Sequence, residues 1–114
     1  MDQRGSRIMR SEILKLLNQE RAEGRAAVLV TILETRGSTP RKAGSQMLVK
    51  NDGSIQGTIG GGLAEARAME EAARAFQSRS SAVQHFSMDA SVAASEGMAC
   101  GGEMEVFIQY VDAT

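Results

Sequence analysis

The stretch from Ala26 to Leu33, AAVLVTIL, is apolar at every position except Thr31. A strand with one wet face alternates apolar and polar residues. This run does not alternate, so side chains of both parities must meet apolar surroundings. It therefore predicts a central strand in a sheet covered on both faces. A chain of 114 residues has room for one such core and one domain.

The covering layers are legible on either side of that strand. Between Arg7 and Glu23, Met9, Ile13, Leu16 and Leu17 fall on one face at helical spacing. Arg21 and Arg25 suit the negative end of that helix, and Gly24 suits its C′ position. From Gly62 to Ser78, the residues Leu63, Ala66, Met69, Ala73 and Phe76 form a second apolar stripe. Its many alanines predict close packing on the sheet. Ser45–Val49 and Ser54–Ile59 read as two short strands joined by Lys50-Asn51-Asp52-Gly53, where Asp-Gly signals a hairpin. Gln77–Ser81 is a polar break. Ala82–Met88 reads as a strand with His85 on the side of Val83 and Ser87, and Met104–Val111 as the last strand. The expected fold class is α/β (α+β): a mixed sheet of about five strands with a β-hairpin and two main helices packed on it, in a single domain. Residues 1–6 are polar and expected to be disordered.

Three stretches carry candidate chemistry. The first is Gly57-Thr58-Ile59-Gly60-Gly61-Gly62-Leu63-Ala64-Glu65, a strand end, a turn of three glycines and a helix start. Unpaired N–H groups and the positive dipole end make such a start a ready anion site. A tight turn without a guest is the competing reading, and the residues leave both open. Glu65 in the first helical turn either complements the dipole or addresses a ligand N–H, or acts as a base. The second stretch, Glu34 to Gly44, combines glycine, the only proline, hydroxyls and cations. Ser38, Thr39, Arg36, Arg41 and Lys42 are donors suited to an anion; an ordinary solvated loop is the alternative. The hairpin should bring this loop to the same end of the sheet as Gly60–Gly62, because antiparallel neighbours set the start of one strand beside the end of the other.

The third stretch is Gly97-Met98-Ala99-Cys100-Gly101-Gly102. Cys100 before two glycines suits a sharp, accessible turn, where nearby N–H groups favour the thiolate. Lone cysteines are more often small core hydrophobes. One cysteine and one histidine give no zinc-ligand spacing. The glycine turn lacks the Gly-Lys-Ser/Thr ending of a P-loop and the third glycine of a dinucleotide fingerprint. Net charge −1 and only four aromatic residues argue against nucleic-acid partners. No apolar run is long enough for a membrane span, and the first residues lack the apolar core of a signal peptide. A single cysteine fits a reducing cytoplasm.

The blocks VTILETRGSTPRKAGSQMLV, DGSIQGTIGGGLAE and GMACGGEMEVFI, in that order, resemble the XdhC/CoxI family from about residue 8 to residue 111. The resemblance implies an accessory protein that matures xanthine dehydrogenase or carbon monoxide dehydrogenase. It would bind molybdenum cofactor (molybdopterin) transiently, support its sulfuration by a cysteine desulfurase, and hand it to the molybdoenzyme client. By motif, the implied cofactor-binding residues are Ser38, Thr39, Arg41, Gly60, Gly61, Gly62, Glu65, Cys100 and Gly101, flanked by Gly37, Pro40, Gly97 and Gly102. Many members place a cysteine directly after the three glycines, where this chain has Leu63. Longer members carry a C-terminal Rossmann-like domain that residues 7–114 do not include, so a separate subunit of that kind is an expected partner. A homo-oligomer is also expected, because a small sheet leaves edges to cover. Two alternatives stand beside the chaperone reading. One is an enzyme or sulfur carrier using Cys100, with Glu65 or His85 as base; the other is a structural or interaction module.

Overall fold

The computed structural model describes residues 10–39, 41–87 and 102–113. In chain order the elements are α1 (Arg10–Ala22), β1 (Ala27–Arg36), β2 (Gln46–Lys50), β3 (Ile55–Gly57), α2 (Gly62–Ser78), β4 (Ala82–Ser87) and β5 (Glu103–Val111). The five strands form one sheet in the order β3-β2-β1-β5-β4. The expected five strands, hairpin and two helices are all present. Every pairing is antiparallel, where a mixed sheet was expected. The reason lies in the helical crossover made by α2. Strands β3 and β4, which α2 connects, run the same way but lie on opposite edges, so no parallel pair becomes adjacent.

The central strand is β1, and both its faces are covered as its composition demands. Val28, Val30 and Ile32 pack with Met47, Val49, Val106, Ile108 and Phe86 beneath α2. Ala27 and Leu29 join Leu48 beneath Ile13 and Leu17 of α1. Burying a side chain the size of Phe86 contributes about 1.5–3 kcal/mol. The buried face of α2 is Leu63, Ala64, Ala68, Ala72 and Ala75. This corrects the expected stripe, since Ala66 and Ala73 are exposed while Met69 and Phe76 flank the contact. The smallest side chains face the sheet, so the helix backbone approaches it closely.

Helix α1 ends as its glycine predicts. The Arg25 N–H donates to the Glu20 carbonyl (2.9 Å) and the Gly24 N–H to that of Arg21 (3.1 Å), with Gly24 at φ +83°. These are the paired bonds of a Schellman cap. The same turn folds the Arg25 guanidinium onto the buried Glu20 carboxylate, donating at 2.9 and 3.0 Å. Lys50 of β2 lies 3.9 Å from Glu20. The Arg25 hydrogen bonds hold the Glu20 carboxyl below its ordinary pKa, against the opposing effect of burial.

Strand β1 carries a bulge. Ile32 pairs with Val106 and Glu34 with Glu105, leaving Leu33 as the extra residue, 47% exposed. Such an insertion flips side-chain parity. Beyond it Glu34 and Arg36 face away from α2, whereas Ile32 faces toward it.

Candidate functional site

Because neighbouring strands alternate in direction, one end of the sheet gathers the ends of β1, β3 and β4 and the starts of β2 and β5. The registers state this directly: Thr31 pairs with Gln46, Met47 with Gly57, Arg36 with Glu103 and Ser87 with Glu103. The loop of residues 37–45, the glycine turn after β3 and Gly102 before β5 therefore lie at this one end. Pro40, Gly97, Cys100 and Gly101 lie outside the described residues, as does the segment 1–6.

The glycine turn is shaped by its backbone. Gly60, Gly61 and Gly62 have φ of +130°, +71° and +48°, a region that disfavours L side chains. A Cβ at Gly61 would meet nothing within 4 Å, so conformation and not crowding calls for glycine there. Gly57 is different: its Cβ would lie 2.7 Å from the Gln46 carbonyl oxygen, so close strand approach adds to the demand.

Glu65 turns back onto this turn. Its Oε2 accepts from the Gly61 N–H (3.1 Å) and from the Thr58 hydroxyl, while the Gly60 N–H donates to Thr58 Oγ1 (2.9 Å). The carboxylate reaches back from the fourth helical position to the N–H of the N-cap glycine, one residue later than in a capping box. It places a carboxylate at the positive end of α2, which answers the dipole from within the chain. The Gly60 and Gly61 donors are thereby engaged by the turn itself. Cationic side chains and hydroxyls at this end of the sheet are further groups that suit an anion.

The second loop supplies such groups. Ser38 is exposed; Thr39 and Arg41 are half-buried. Thr39 Oγ1 donates to the Arg41 carbonyl at 3.0 Å, fixing the loop's own turn. Gly102 is buried against this loop: a Cβ on it would come within 2.2 Å of the Ser38 carbonyl oxygen and 2.7 Å of Thr39 Cγ2. The last residue of the third glycine-rich stretch is thus seated on Ser38 and Thr39. Glycine is required there by contact with the loop.

His85 lies on the face of the sheet away from α2. Its Nδ1 is 2.6 Å from Glu105 Oε2 and its Nε2 is 3.0 Å from Glu103 Oε1. The hydrogen bond with Glu105, aided by both carboxylate charges, raises the imidazole pKa above its ordinary value. Both partners come from β5, so only strand pairing reveals them. Among the described residues no group of three or more His, Cys, Asp or Glu side chains is placed to hold a metal ion. No described helix is long and apolar enough to cross a membrane.

One residue at this end of the molecule was not foreseen. Arg67, half-buried on α2, holds its guanidinium carbon 5.0 Å from the centre of the Phe86 ring. An arginine inside an alanine-rich helix gives no sequence signal of this kind. Its significance depends on Phe86 reaching it from β4.

The sequence pattern of the XdhC and CoxI family matches residues 20–87, which include both the Ser38–Arg41 loop and the Gly60–Glu65 turn. An uncharacterised Escherichia coli protein, YqeB, is 48% identical over 80 residues, covering 70% of this chain and 15% of YqeB. The Escherichia coli molybdenum cofactor insertion chaperone PaoD is 43% identical over 60 residues, covering 53% of this chain and 19% of PaoD. The crystal structure of a xanthine dehydrogenase from Bacillus halodurans superposes with a TM-score of 0.71 at 27% identity, over 88% of this chain and 30% of that one. The chain thus spans less than a third of each of these proteins. It belongs to the XdhC and CoxI family.

Proposed function

We propose that this family member is an accessory factor of a molybdoenzyme, one that binds molybdenum cofactor transiently and passes it to an apo-enzyme of the xanthine dehydrogenase or carbon monoxide dehydrogenase type. The observation that carries the proposal is the 43% identity to a molybdenum cofactor insertion chaperone. The donor set fits the group. Molybdenum cofactor presents a phosphate, a polar pterin and a sulfur-bound metal. The Arg41 guanidinium and the Ser38 and Thr39 hydroxyls suit the phosphate. The Glu65 carboxylate suits a pterin N–H, and open space beside Gly61 leaves the backbone approachable.

When bound, the cofactor supplies the molybdenum chemistry that the client enzyme uses. The chain's own residues bind and orient. Arg41 neutralises anionic charge, the Ser38 hydroxyl donates, Thr39 holds the loop's turn through its bond to the Arg41 carbonyl, and Glu65 keeps the glycine turn in one shape. Cys100, two residues before Gly102, stands beside the cofactor's sulfur in this proposal and assists sulfuration by a cysteine desulfurase. The proposal also places the protein in the cytoplasm, as a homo-oligomer, working with a Rossmann-domain subunit of the same family. The test is co-purification with molybdopterin, comparing wild type with Cys100→Ser and Arg41→Ala. Reduced retention in both variants is expected. Equal retention in all three proteins would reject this site.

A further inference from the structure

We infer that β4 is the edge through which two copies of this chain join into one continuous sheet, an assignment that rests on the homo-oligomer in the proposal above. Among the described residues β4 pairs with β5 alone, so one of its two rows of backbone N–H and C=O groups has no strand partner there. Soluble proteins protect such edges with lysine, proline, a bulge or a very short strand. At the opposite edge β3 is short, only three residues, and ends in Gly57. Strand β4 has no such protection. It runs for six residues, AVQHFS, without Lys, Arg, Pro or Gly. Its pairing with β5 keeps one register from Ala82 to Ser87, so no bulge turns the edge aside. Its ionisable side chain, His85, is engaged by Glu103 and Glu105, which belong to β5 and lie inward of the edge.

The surroundings of this edge fit a second copy. On the side toward α2, a cavity of about 140 Å³ lies between the helix and the edge strand, walled by Glu71, Arg74 and Ser78 and by Ser80 and Gln84. The helical wall carries a base and an acid side by side, with Arg74 Nη1 3.2 Å from Glu71 Oε2 and the Arg74 side chain 73% exposed. A surface that bears both signs is complementary to itself under a two-fold axis. Antiparallel pairing of β4 with its own copy sets that axis normal to the sheet. The two α2 helices then flank the seam on one face, and Arg74 of each subunit can exchange its own Glu71 for Glu71 of the partner subunit. On the other face Val83 is 56% exposed, the most exposed large apolar side chain among the described residues. The same axis brings the two Val83 side chains to one face across the seam, where each shields the other from water. Strand addition takes its affinity from backbone hydrogen bonds and its choice of partner from such flanking side chains.

Sedimentation of the full chain across the micromolar range reads the assembly, and amide hydrogen exchange reads the edge. Val83→Lys adds the missing edge charge at an exposed position. Arg74→Glu leaves two acids on the helical wall, and Glu71→Arg leaves two bases. Gln19→Lys, exposed on α1, is the control. Wild type is expected to sediment as a dimer in which the β4 amides not bonded to β5 exchange slowly. Val83→Lys, Arg74→Glu and Glu71→Arg should each raise the dimer dissociation constant about tenfold or more, and Gln19→Lys should leave it unchanged. Arg74→Glu mixed with Glu71→Arg should regain the dimer, because opposite signs then meet across the seam. Val83→Lys carries the test alone should Glu71→Arg not fold. A wild-type dimer that Val83→Lys and Arg74→Glu leave intact overturns the β4 assignment and leaves the homo-oligomer standing. A wild type that is monomeric throughout overturns both. Edge amides that stay slow in a monomeric variant show β4 covered within one chain, which also overturns the assignment.

Discussion

Replacing Gly102 by alanine tests how tightly the third glycine-rich stretch is seated on the Ser38–Thr39 loop. The added Cβ would lie 2.2 Å from the Ser38 carbonyl oxygen, 2.7 Å from the Ser38 carbonyl carbon and 2.7 Å from Thr39 Cγ2. Ordinary contact begins at 3.4 Å, so the loop must withdraw by 1.2 Å at its nearest atom. The obstacle is backbone and cannot swing aside as a side chain would. Gly102 does not lie in the left-handed region, so alanine brings no dihedral strain and the cost is steric. Forcing a methyl into a packed contact costs about 1–3 kcal/mol. Unfolding entropy of about 2.1 cal/mol/K per residue makes that a fall of about 4 °C in Tm for each kcal/mol. Gly53→Ala is the comparison: its φ is +88° with nothing within 4 Å, so it carries strain without a clash. Calorimetry should find Gly102→Ala lower in Tm by roughly 4–12 °C. NMR should show the Ser38 and Thr39 amides shifted in Gly102→Ala and unmoved in Gly53→Ala. A Gly102→Ala protein that melts with wild type and leaves those amides unshifted would refute the steric argument.

Three further outcomes follow from the packing and the charges. Ala68→Leu, on the buried face of α2, should destabilise by about 1–3 kcal/mol in urea unfolding; no loss would mean the helix does not sit close on the sheet. Glu20 has a lowered native pKa, so its contribution to stability is complete above about pH 4.5 and is lost as pH falls below that, through the lowered native value. Glu20→Gln should flatten that acid limb of the stability profile, which unfolding curves at successive pH values would show. His85 has a raised native pKa, so its contribution is complete below about pH 6.5 and fades as pH rises through the raised value. Glu105→Gln should move the NMR-observed His85 titration back toward its ordinary midpoint; an unmoved midpoint would leave the ion pair without effect.

Much of the architecture was legible because it depends on patterns within single elements. The two-sided run of β1 demanded layers on both faces, Gly24 marked the helix end and Asp52-Gly53 marked the hairpin. The exceptions share one cause, contacts made between elements. The buried stripe of α2 is rotated onto Ala64, Ala68, Ala72 and Ala75 because what packs against a sheet is the side that comes closest. Composition alone ranks Met69 and Phe76 as more apolar. The bulge at Leu33 changes which residues of β1 face α2, and no local signal marks it. At the candidate site, the loop and the glycine turn were readable as donors at one end of the sheet. The hydrogen bond from the Gly61 N–H to Glu65 is a contact that spacing alone does not show. Arg67 over Phe86 and His85 between two glutamates exist only once β4 has paired with β5.

The strand that closes the chain is not at the rim of the sheet. Strand β5 lies between β1 and β4, so the middle of the sheet is assembled from the first and last of the described strands. During synthesis β1, β2 and β3 can pair as they emerge, but Val28, Val30 and Ile32 then wait for a neighbour more than seventy residues downstream. Assembly is therefore slow to nucleate and late to complete, as expected where loop closure precedes its reward. A chain halted before residue 103 would lack the keystone of its own sheet, with β4 left unpaired and the flank of β1 bare.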